Sequence, residues 1–270
     1  MIGKFLFLIV SLSVVLNASL NTKVKGIIGY SAYNKHKNLI NYIFKNKSAY
    51  YTNGKIDYVK VTSALQNNGL LKLGYGANRF IDVTFTINDN PKKSFKILND
   101  SLKTIGHYYY FTKEANKSDN SLKWTIKLKT KAAINPLRLS QELQKNGCRV
   151  VDIQRGSSYK WSYYIDTRNS DIEKTVDLIN ESSQSVRKSS KPYMVRVSNA
   201  NALNIQSNNG NNWHPNIIFY DDELNIIDTF KDDSLRKDLR VDVPNDTKYI
   251  KINDLYTLAN LKRGLTITKE

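Results

Sequence analysis

One pattern occurs three times in the first two thirds of this chain: an amphipathic segment ends at a glycine, and a strand-like segment follows. The three glycines are Gly69, Gly106 and Gly147. Apolar residues recur four and eight positions before each glycine, which places them on one face of a helix. A glycine directly after the last periodic residue is typical of a left-handed helix C-cap. The sequence therefore predicts three helices, each followed by strands.

The helix starts support the same pattern. Asn90-Pro91 and Asn135-Pro136 each place a side-chain acceptor at the N-cap and a proline at the first helical position. After each glycine we expect a strand, a hairpin turn and a returning strand. The expected pairs of strands cover residues 70–75 with 80–87, 107–111 with 122–129, and 148–153 with 160–166. Because one helix–strand–strand unit cannot bury its own apolar face, the three units must stack or share sheets.

The N-terminus has the layout of an export signal. Lys4 supplies a positive charge, residues 5–16 are apolar, and Ala18 provides a small residue for cleavage. We expect a signal peptide over residues 1–18, a periplasmic or secreted protein, and no transmembrane anchor after cleavage. The apolar run is too short to span a bilayer. The alternatives are an uncleaved N-terminal anchor and a buried helix.

The predicted fold class is α+β, with tandem helix–strand–strand repeats that form small α/β modules and a C-terminal β-sandwich. Short, regularly spaced strands separated by turn signals in the last third are typical of a sandwich. The expected segments are an N-terminal extension over 19–54 with a short helix near 38–45, the repeats over 55–169, a helix (171–179) and a Ser-rich linker over 170–191, and the sandwich over 192–270.

Charge is distributed unevenly along the chain. Residues 1–169 hold 27 Lys and Arg against 9 Asp and Glu, whereas residues 170–270 hold 14 against 15. A basic repeat region is suited to anionic partners, and for an exported protein these are an envelope protein or peptidoglycan. Nucleic acid is electrostatically possible, but the export signal disfavours it. The alternative is a surface charge that serves solubility alone.

The most distinct candidate for an anion-binding surface is the strand around Trp124. Lysines at alternate positions should lie on one face of the sheet, opposite the apolar residues. The candidate residues for the anionic partner are Lys123, Lys127, Lys129 and Lys160. The alternative is an ordinary solvated sheet face.

Aromatic residues suggest a second kind of surface. Trp161 and Tyr163 are candidates for an aromatic platform, because aromatic rings flanked by lysine stack on sugars or anchor interfaces. Trp213 is the third candidate, because it follows a polar loop and would be exposed at a sandwich edge, as in sugar-binding modules. They are also common strand formers. A position in the core is therefore the alternative for each of them.

Catalytic and metal-binding patterns are weak. His36, His107, His214 and the single Cys148 form no zinc-ligand spacing and no nucleophile–base motif. Asn and Asp side chains over 211–222 could ligate Ca²⁺, but these residue types are common in turns. We predict no catalytic residues, no metal and no cofactor.

The segment 124–166 resembles small α/β modules of bacterial cell-envelope machines, with a strand, a helix that ends in Leu143-Gln144-Lys145-Asn146-Gly147, and a closing hairpin. These modules include sporulation-related peptidoglycan-binding repeats, ring-building domains of secretins and polypeptide-transport modules. The chain lacks the glutamine-glycine signature expected at the first strand of a sporulation-related repeat. The resemblance implies an envelope role and assigns no functional residue.

These patterns leave three hypotheses for the function. The first is a non-enzymatic scaffold or adaptor of the cell envelope that docks through its basic repeats onto an anionic partner. The second is a protein that binds peptidoglycan or another glycan. The third is a glycan or peptide hydrolase with a dispersed site, which would require a carboxylate or histidine with a strongly shifted pKa in a cleft. The sequence does not specify the partner or the oligomeric state.

Overall fold

The structure is a computed structural model that describes residues 20–270, and the predicted signal peptide lies outside the described residues. The chain contains helices and several β-sheets, so the α+β class is correct. It divides into two compact units, one up to Asp171 and one over Ile172–Glu270.

The first unit begins with short helices. The elements are α1 over 20–28, α2 over Tyr30–Lys35, α3 over Lys37–Ile43, a 3₁₀ helix over Lys47–Tyr50, and a hairpin of β1 (Tyr51–Thr52) and β2 (Lys55–Ile56). Helix α3 agrees with the short helix predicted near 38–45. Asn53 and Gly54 connect the hairpin with positive φ angles of 50° and 71°, as a two-residue hairpin turn requires.

A five-stranded sheet forms the centre of this unit. Its strands are β3 (Gly74–Asn88), β4 (Phe111–Lys117), β5 (Ser121–Ala132), β6 (Arg149–Ser157) and β7 (Lys160–Asp166). Their order across the sheet is β4-β5-β3-β7-β6, and β7 runs parallel to β3 while the other neighbours are antiparallel. With β3 at its centre, the five strands form one continuous sheet.

Three helices cover one face of this sheet. They are α4 (Tyr58–Asn67), α5 (Pro91–Thr104) and α6 (Pro136–Lys145). Each buries the leucine that stands four positions before its terminal glycine: Leu65, Leu102 and Leu143. The three glycines all have positive φ, and the residue after each one donates its N–H to the carbonyl of that leucine, which is the Schellman arrangement.

The first two predicted helix–strand–strand units differ from the structure. In the second, residues 107–110 are irregular and the strand expected over 107–111 begins only at Phe111, as β4. The first differs more. Residues 70–73 are not a strand, and the expected turn over 74–78 lies within β3, where the pairing with β5 shifts register between Gly74 and Arg79. One long strand therefore follows α4 in place of a hairpin. The N-caps also differ, because Asn135 accepts hydrogen bonds from Leu137 and Arg138, whereas Asn90 makes no side-chain cap and has a left-handed φ of 45°.

The second unit consists of two sheets. Their strands are β8 (Val176–Asp177), β9 (Ser183–Val186), β10 (Tyr193–Arg196), β11 (Ala202–Ser207), β12 (Pro215–Tyr220), β13 (Ile226–Lys231), β14 (Asp238–Asp242), β15 (Tyr249–Asp254) and β16 (Leu265–Lys269). One sheet has the order β13-β12-β15-β10-β8 and the other β14-β11-β16-β9. Side chains from both sheets, Ile217 and Ile267 among them, form one hydrophobic cluster.

The helix predicted over 171–179 is absent, and this prediction is wrong. Residues in this range form β8, which pairs in parallel with β10. Val176 and Leu178 are both buried, so the apolar pattern follows the two-residue period of a strand. The division between the units also falls at Asp171, ahead of the Ser-rich segment that the sequence suggested as a linker, because that segment contributes β9 to the second unit.

Candidate functional site

The candidate site is the face of the five-stranded sheet opposite the helices, which we call the open face. Its residues are Phe80, Asp82, Thr84 and Thr86 on β3, Phe111 on β4, Lys123, Thr125, Lys127 and Lys129 on β5, and Lys160, Ser162 and Tyr164 on β7. Alternation along β5 exposes Lys123, Lys127 and Lys129 and buries Trp124, Ile126 and Leu128. Polar side chains on one face and apolar ones on the other are typical of a half-covered sheet.

The sheet brings the four lysines predicted for the anionic partner onto this single face. Lys127 and Lys160 lie in one row across the sheet, because both are paired with Asp82 of the central strand. Two strand spacings put their Cα atoms about 10 Å apart. Lys123 and Lys129 lie further along β5, paired with Thr86 and Phe80. All four side chains are exposed.

Carboxylates on the open face neutralise only part of this charge. Asp82 lies 2.6 Å from the ammonium group of Lys113, and Glu114 lies 3.8 Å from that of Lys123. Surface ion pairs of this kind contribute little to stability. The ammonium groups of Lys127 and Lys129 instead lie 5.4 and 5.9 Å from the centre of the Phe80 ring. The face therefore keeps a surplus of positive charge.

Two aromatic residues of the open face were not identified from the sequence. Phe80 is 54% exposed and Phe111 is 72% exposed. The pairing places Phe80 opposite Lys129, on the open face, whereas the alternate residues Ile81 and Val83 of the same strand are buried under the helices. A shift of one residue moves a side chain to the other face of a sheet. The useful signal was Phe80 itself, an apolar residue in the otherwise polar series Asp82, Thr84 and Thr86.

The predicted aromatic platform is wrong. Trp161 is 2% exposed and Tyr163 is fully buried, because both alternate onto the helix-covered face of β7. The Tyr163 hydroxyl donates to the carbonyl of Ile134 at 3.2 Å. Trp213 is fully buried in the second unit, where its indole N–H donates to the carbonyl of Asn253 at 3.0 Å. These rings stabilise the two cores and offer no surface to a ligand.

One end of the open face carries an arginine–aspartate cluster. Arg168 contacts Asp166 through two hydrogen bonds of 2.9 and 2.7 Å, and Arg149 adds a third of 3.0 Å. The bonds from Arg168, and then those from Arg149, hold the pKa of Asp166 well below its usual range. A cleft of about 670 Å³ lies beside this cluster and includes Thr86 and Tyr164 of the open face. The cluster remains ionised at neutral pH and carries one net positive charge.

Other titratable groups that the sequence singled out are buried, half-buried or hydrogen-bonded within their own turns. Burial raises the pKa of the Cys148 thiol to about 12, and burial lowers the pKa of the half-buried His107. Asp221 accepts hydrogen bonds from Glu223 and Asn225 of its own turn. Within residues 20–270, no three His, Cys, Asp or Glu side chains converge as metal ligands would.

Comparisons with protein-family models, with curated proteins and with solved structures found no match to this chain. No helix in the range 20–270 combines the length and the hydrophobicity that a bilayer-spanning segment requires. A fold by itself does not assign a function. The function must therefore be argued from the chemistry of the open face.

Proposed function

We propose that this protein is a non-enzymatic adaptor of the bacterial cell envelope, exported to the periplasm or beyond, whose open face binds an anionic partner. The observation that carries the proposal is the placement of four exposed lysines on one face of a single sheet. A flat surface with excess positive charge attracts a negatively charged surface and orients it before contact. The resemblance of residues 124–166 to envelope modules points in the same direction.

The open face has the composition of a binding surface. Phe80 and Phe111 add exposed apolar area between the lysines, and Thr84, Thr86 and Ser162 supply hydroxyl groups that can bond to a polar partner. Aromatic residues surrounded by polar groups are enriched in protein interfaces. We take the partner to be an acidic surface of an envelope protein, and peptidoglycan, which also carries carboxylates, is the second candidate.

The second unit would act as a further interaction module. Its two sheets share one hydrophobic core, and we interpret them as the β-sandwich that the sequence pattern predicted. The helix–strand units of the first part would likewise descend from one repeated element, with the central strand β3 replacing the hairpin of the first copy.

Hydrolysis is the less supported alternative. A carboxylic acid that protonates a glycosidic bond needs a raised pKa. The shifted carboxyl groups near clefts, Asp152 and Asp166, have lowered pKa values because lysine or arginine bonds to them. Such carboxylates stay ionised and serve as structural acceptors, which favours binding over catalysis.

The proposal is tested by binding of the protein without residues 1–18 to purified sacculi and to envelope protein fractions, at low and high salt. The test variant replaces the lysines of the open face with glutamine: Lys123, Lys127, Lys129 and Lys160. The control removes the same charge from exposed lysines elsewhere: Lys45, Lys103, Lys231 and Lys262.

We expect the open-face variant to lose binding at low salt while the control retains most of it, and we expect high salt to weaken binding of the unaltered protein. Equal loss in both variants would mean that total charge alone matters, and it would refute a specific surface. Binding to sacculi that survives high salt and depends on Phe80 or Phe111 would replace the adaptor proposal with glycan recognition.

A further inference from the structure

A second site lies in a pocket of about 440 Å³ in the first unit. One wall is formed by the β1–β2 hairpin and the start of α4, and the other by the end of α6, the start of β6 and the loop after β7. The volume lies within the range of small-molecule sites. The lysines of the open face are not among its lining residues.

The wall beside α6 is built by a close approach of two backbone segments. Gly147 has a φ of 69°, and a Cβ atom placed on it would lie 2.2 Å from the carbonyl oxygen of Asn169. The backbone N–H of Asp171 donates to the carbonyl of Asn146 at 3.0 Å. This contact fixes the loop that carries Arg168 against the end of the helix. The pocket is therefore preformed on this side.

The charged groups of the pocket leave positive charge available. Lys55, Arg149 and Arg168 line it together with two carboxylates, Asp57 and Asp166. Asp57 caps α4 by accepting from the N–H groups of Val59 and Lys60, and it also accepts from Thr52. Asp166 is held by the two arginines. Both carboxylates are thus already engaged by the protein.

Arg149 has hydrogen-bonding capacity to spare. Within the described residues its guanidinium donates one side-chain hydrogen bond, to Asp166 at 3.0 Å, although the group carries five N–H donors. Arginine presents these donors as a planar fork that fits a carboxylate or a phosphate. An oxyanion in the pocket can therefore bind Arg149 without displacing Asp166.

The remaining wall combines apolar and polar surface. Ile56, Val59 and Val150 offer contacts to an apolar group. Ser140, also in the wall, is 3% exposed, and its hydroxyl has no hydrogen-bond partner among residues 20–270. A buried hydroxyl without a partner is unusual in proteins, and a bound polar ligand can supply one.

We propose that this pocket binds a small organic oxyanion, with its carboxylate or phosphate on Arg149 and its apolar body against Ile56 and Val150. The site shares the arginine–aspartate cluster with one end of the open face but uses none of the four lysines, so it does not depend on the proposed adaptor function. A carboxylate and a phosphate both present anionic oxygens that accept hydrogen bonds from arginine, and the test uses one ligand of each kind to distinguish them.

The test uses the protein without residues 1–18. Isothermal titration calorimetry measures the affinity, and amide chemical shifts in NMR spectra of the ¹⁵N-labelled protein locate the binding site. The probes are N-acetylphenylalanine, phenyl phosphate and the uncharged N-acetylphenylalanine amide. We expect saturable binding of at least one of the two anions, with shifts at Gly147, Arg149 and Arg168. Tighter binding of one of the two anions shows whether the pocket takes a carboxylate or a phosphate. Binding of the neutral amide as tight as that of the acid, or no binding of either anion, would overturn the proposal.

Variants locate the site. Arg149→Gln should weaken anion binding at least about tenfold, because it removes a charged hydrogen-bond donor. The affinity of Arg149→Lys for the anion should lie between those of the unaltered protein and Arg149→Gln, because lysine keeps the charge but lacks the planar fork of donors. The matched control is Arg138→Gln, which removes an exposed charge on α6 outside the pocket. Thermal unfolding checks that each variant is folded. Equal affinity of Arg149→Gln and Arg138→Gln would place the anion elsewhere and refute this assignment.

Discussion

Two glycines provide a matched test of how tightly the first unit is built. Gly69 and Gly147 follow α4 and α6, with φ angles of 67° and 69°. Each donates its N–H to a glutamine carbonyl three residues earlier at 3.0 Å. They differ in their surroundings, because a Cβ on Gly69 meets nothing within 4 Å and a Cβ on Gly147 meets the carbonyl oxygen of Asn169 at 2.2 Å. Replacement of each by alanine separates backbone strain from steric contact.

The expected costs follow from these geometries. A left-handed alanine costs about 1–2 kcal/mol, and about 0.4–1 kcal/mol of this is offset because alanine restricts the unfolded chain. Gly69→Ala should therefore destabilise the unit by about 1 kcal/mol. Gly147→Ala must also move the Asn169 carbonyl by roughly 1 Å, which disturbs the hydrogen bonds of Ser170 and Asp171. One or two lost hydrogen bonds add about 2 kcal/mol, for a total of about 3 kcal/mol.

Hydrogen exchange followed by mass spectrometry measures this difference, because it reports on each unit separately within the full chain. Peptides from β5 should exchange about 30-fold faster in Gly147→Ala than in Gly69→Ala, since 1.4 kcal/mol corresponds to a factor of ten. Peptides from β15 in the second unit serve as the internal control and should be unchanged. If the exchange rates of β5 peptides in the two variants differ by less than twofold, the close approach at Gly147 does not stabilise the first unit.

Three further predictions concern single groups. Gly264→Ala, where a Cβ would lie 1.9 Å from the Val186 carbonyl oxygen, should speed exchange in the second unit by at least about 30-fold and leave β5 unchanged, by the same mass-spectrometric measurement. Because the pKa of Asp166 is lower in the folded than in the unfolded protein, its contribution to stability is present above about pH 4 and is lost as pH falls. In urea unfolding, the difference in free energy of unfolding between the protein and Asp166→Asn should therefore narrow from pH 6 to pH 3, and a constant difference would contradict the depressed pKa. Cys148, whose thiol pKa is raised to about 12 from 9.0, should react with iodoacetamide at pH 8 at least about a thousandfold more slowly when folded than in urea, and equal rates would show that the thiol is not buried.

The helices were predictable because their signals are local. The spacing of Leu102 and Leu143 from the following glycines, together with the prolines at the starts of α5 and α6, depends on residues close in the chain. The faces of β5 were predictable for the same reason, since strict alternation fixes which side chains share a side. This correctly grouped Lys123, Lys127 and Lys129 on one face.

The features that were missed depend on distant parts of the chain. Residues 171–179 carry apolar residues at spacings that suit either a helix or a strand, and the pairing of β8 with β10 decides between them. The face of Phe80 depends on its register with Lys129, some 50 positions away. The burial of Trp161 depends on which side of the sheet is covered, and that of Trp213 depends on how the segment before β12 packs into the hydrophobic cluster of the second unit. The pocket at Arg149 brings together the β1–β2 hairpin and the loop after β7, which no local pattern connects.

The one-sided covering of the five-stranded sheet has a consequence for how this protein can change over generations. Core positions such as Val83 and Ile126 alternate along the same strands with outward positions such as Thr84 and Lys127. Exposed substitutions away from special features usually alter stability by less than about 0.5 kcal/mol. The outward half of each strand can therefore change with little effect on stability, while changes on the inward half disturb the core. The same scaffold can acquire new specificities by drift, and a library randomised at the outward positions would sample them in the laboratory.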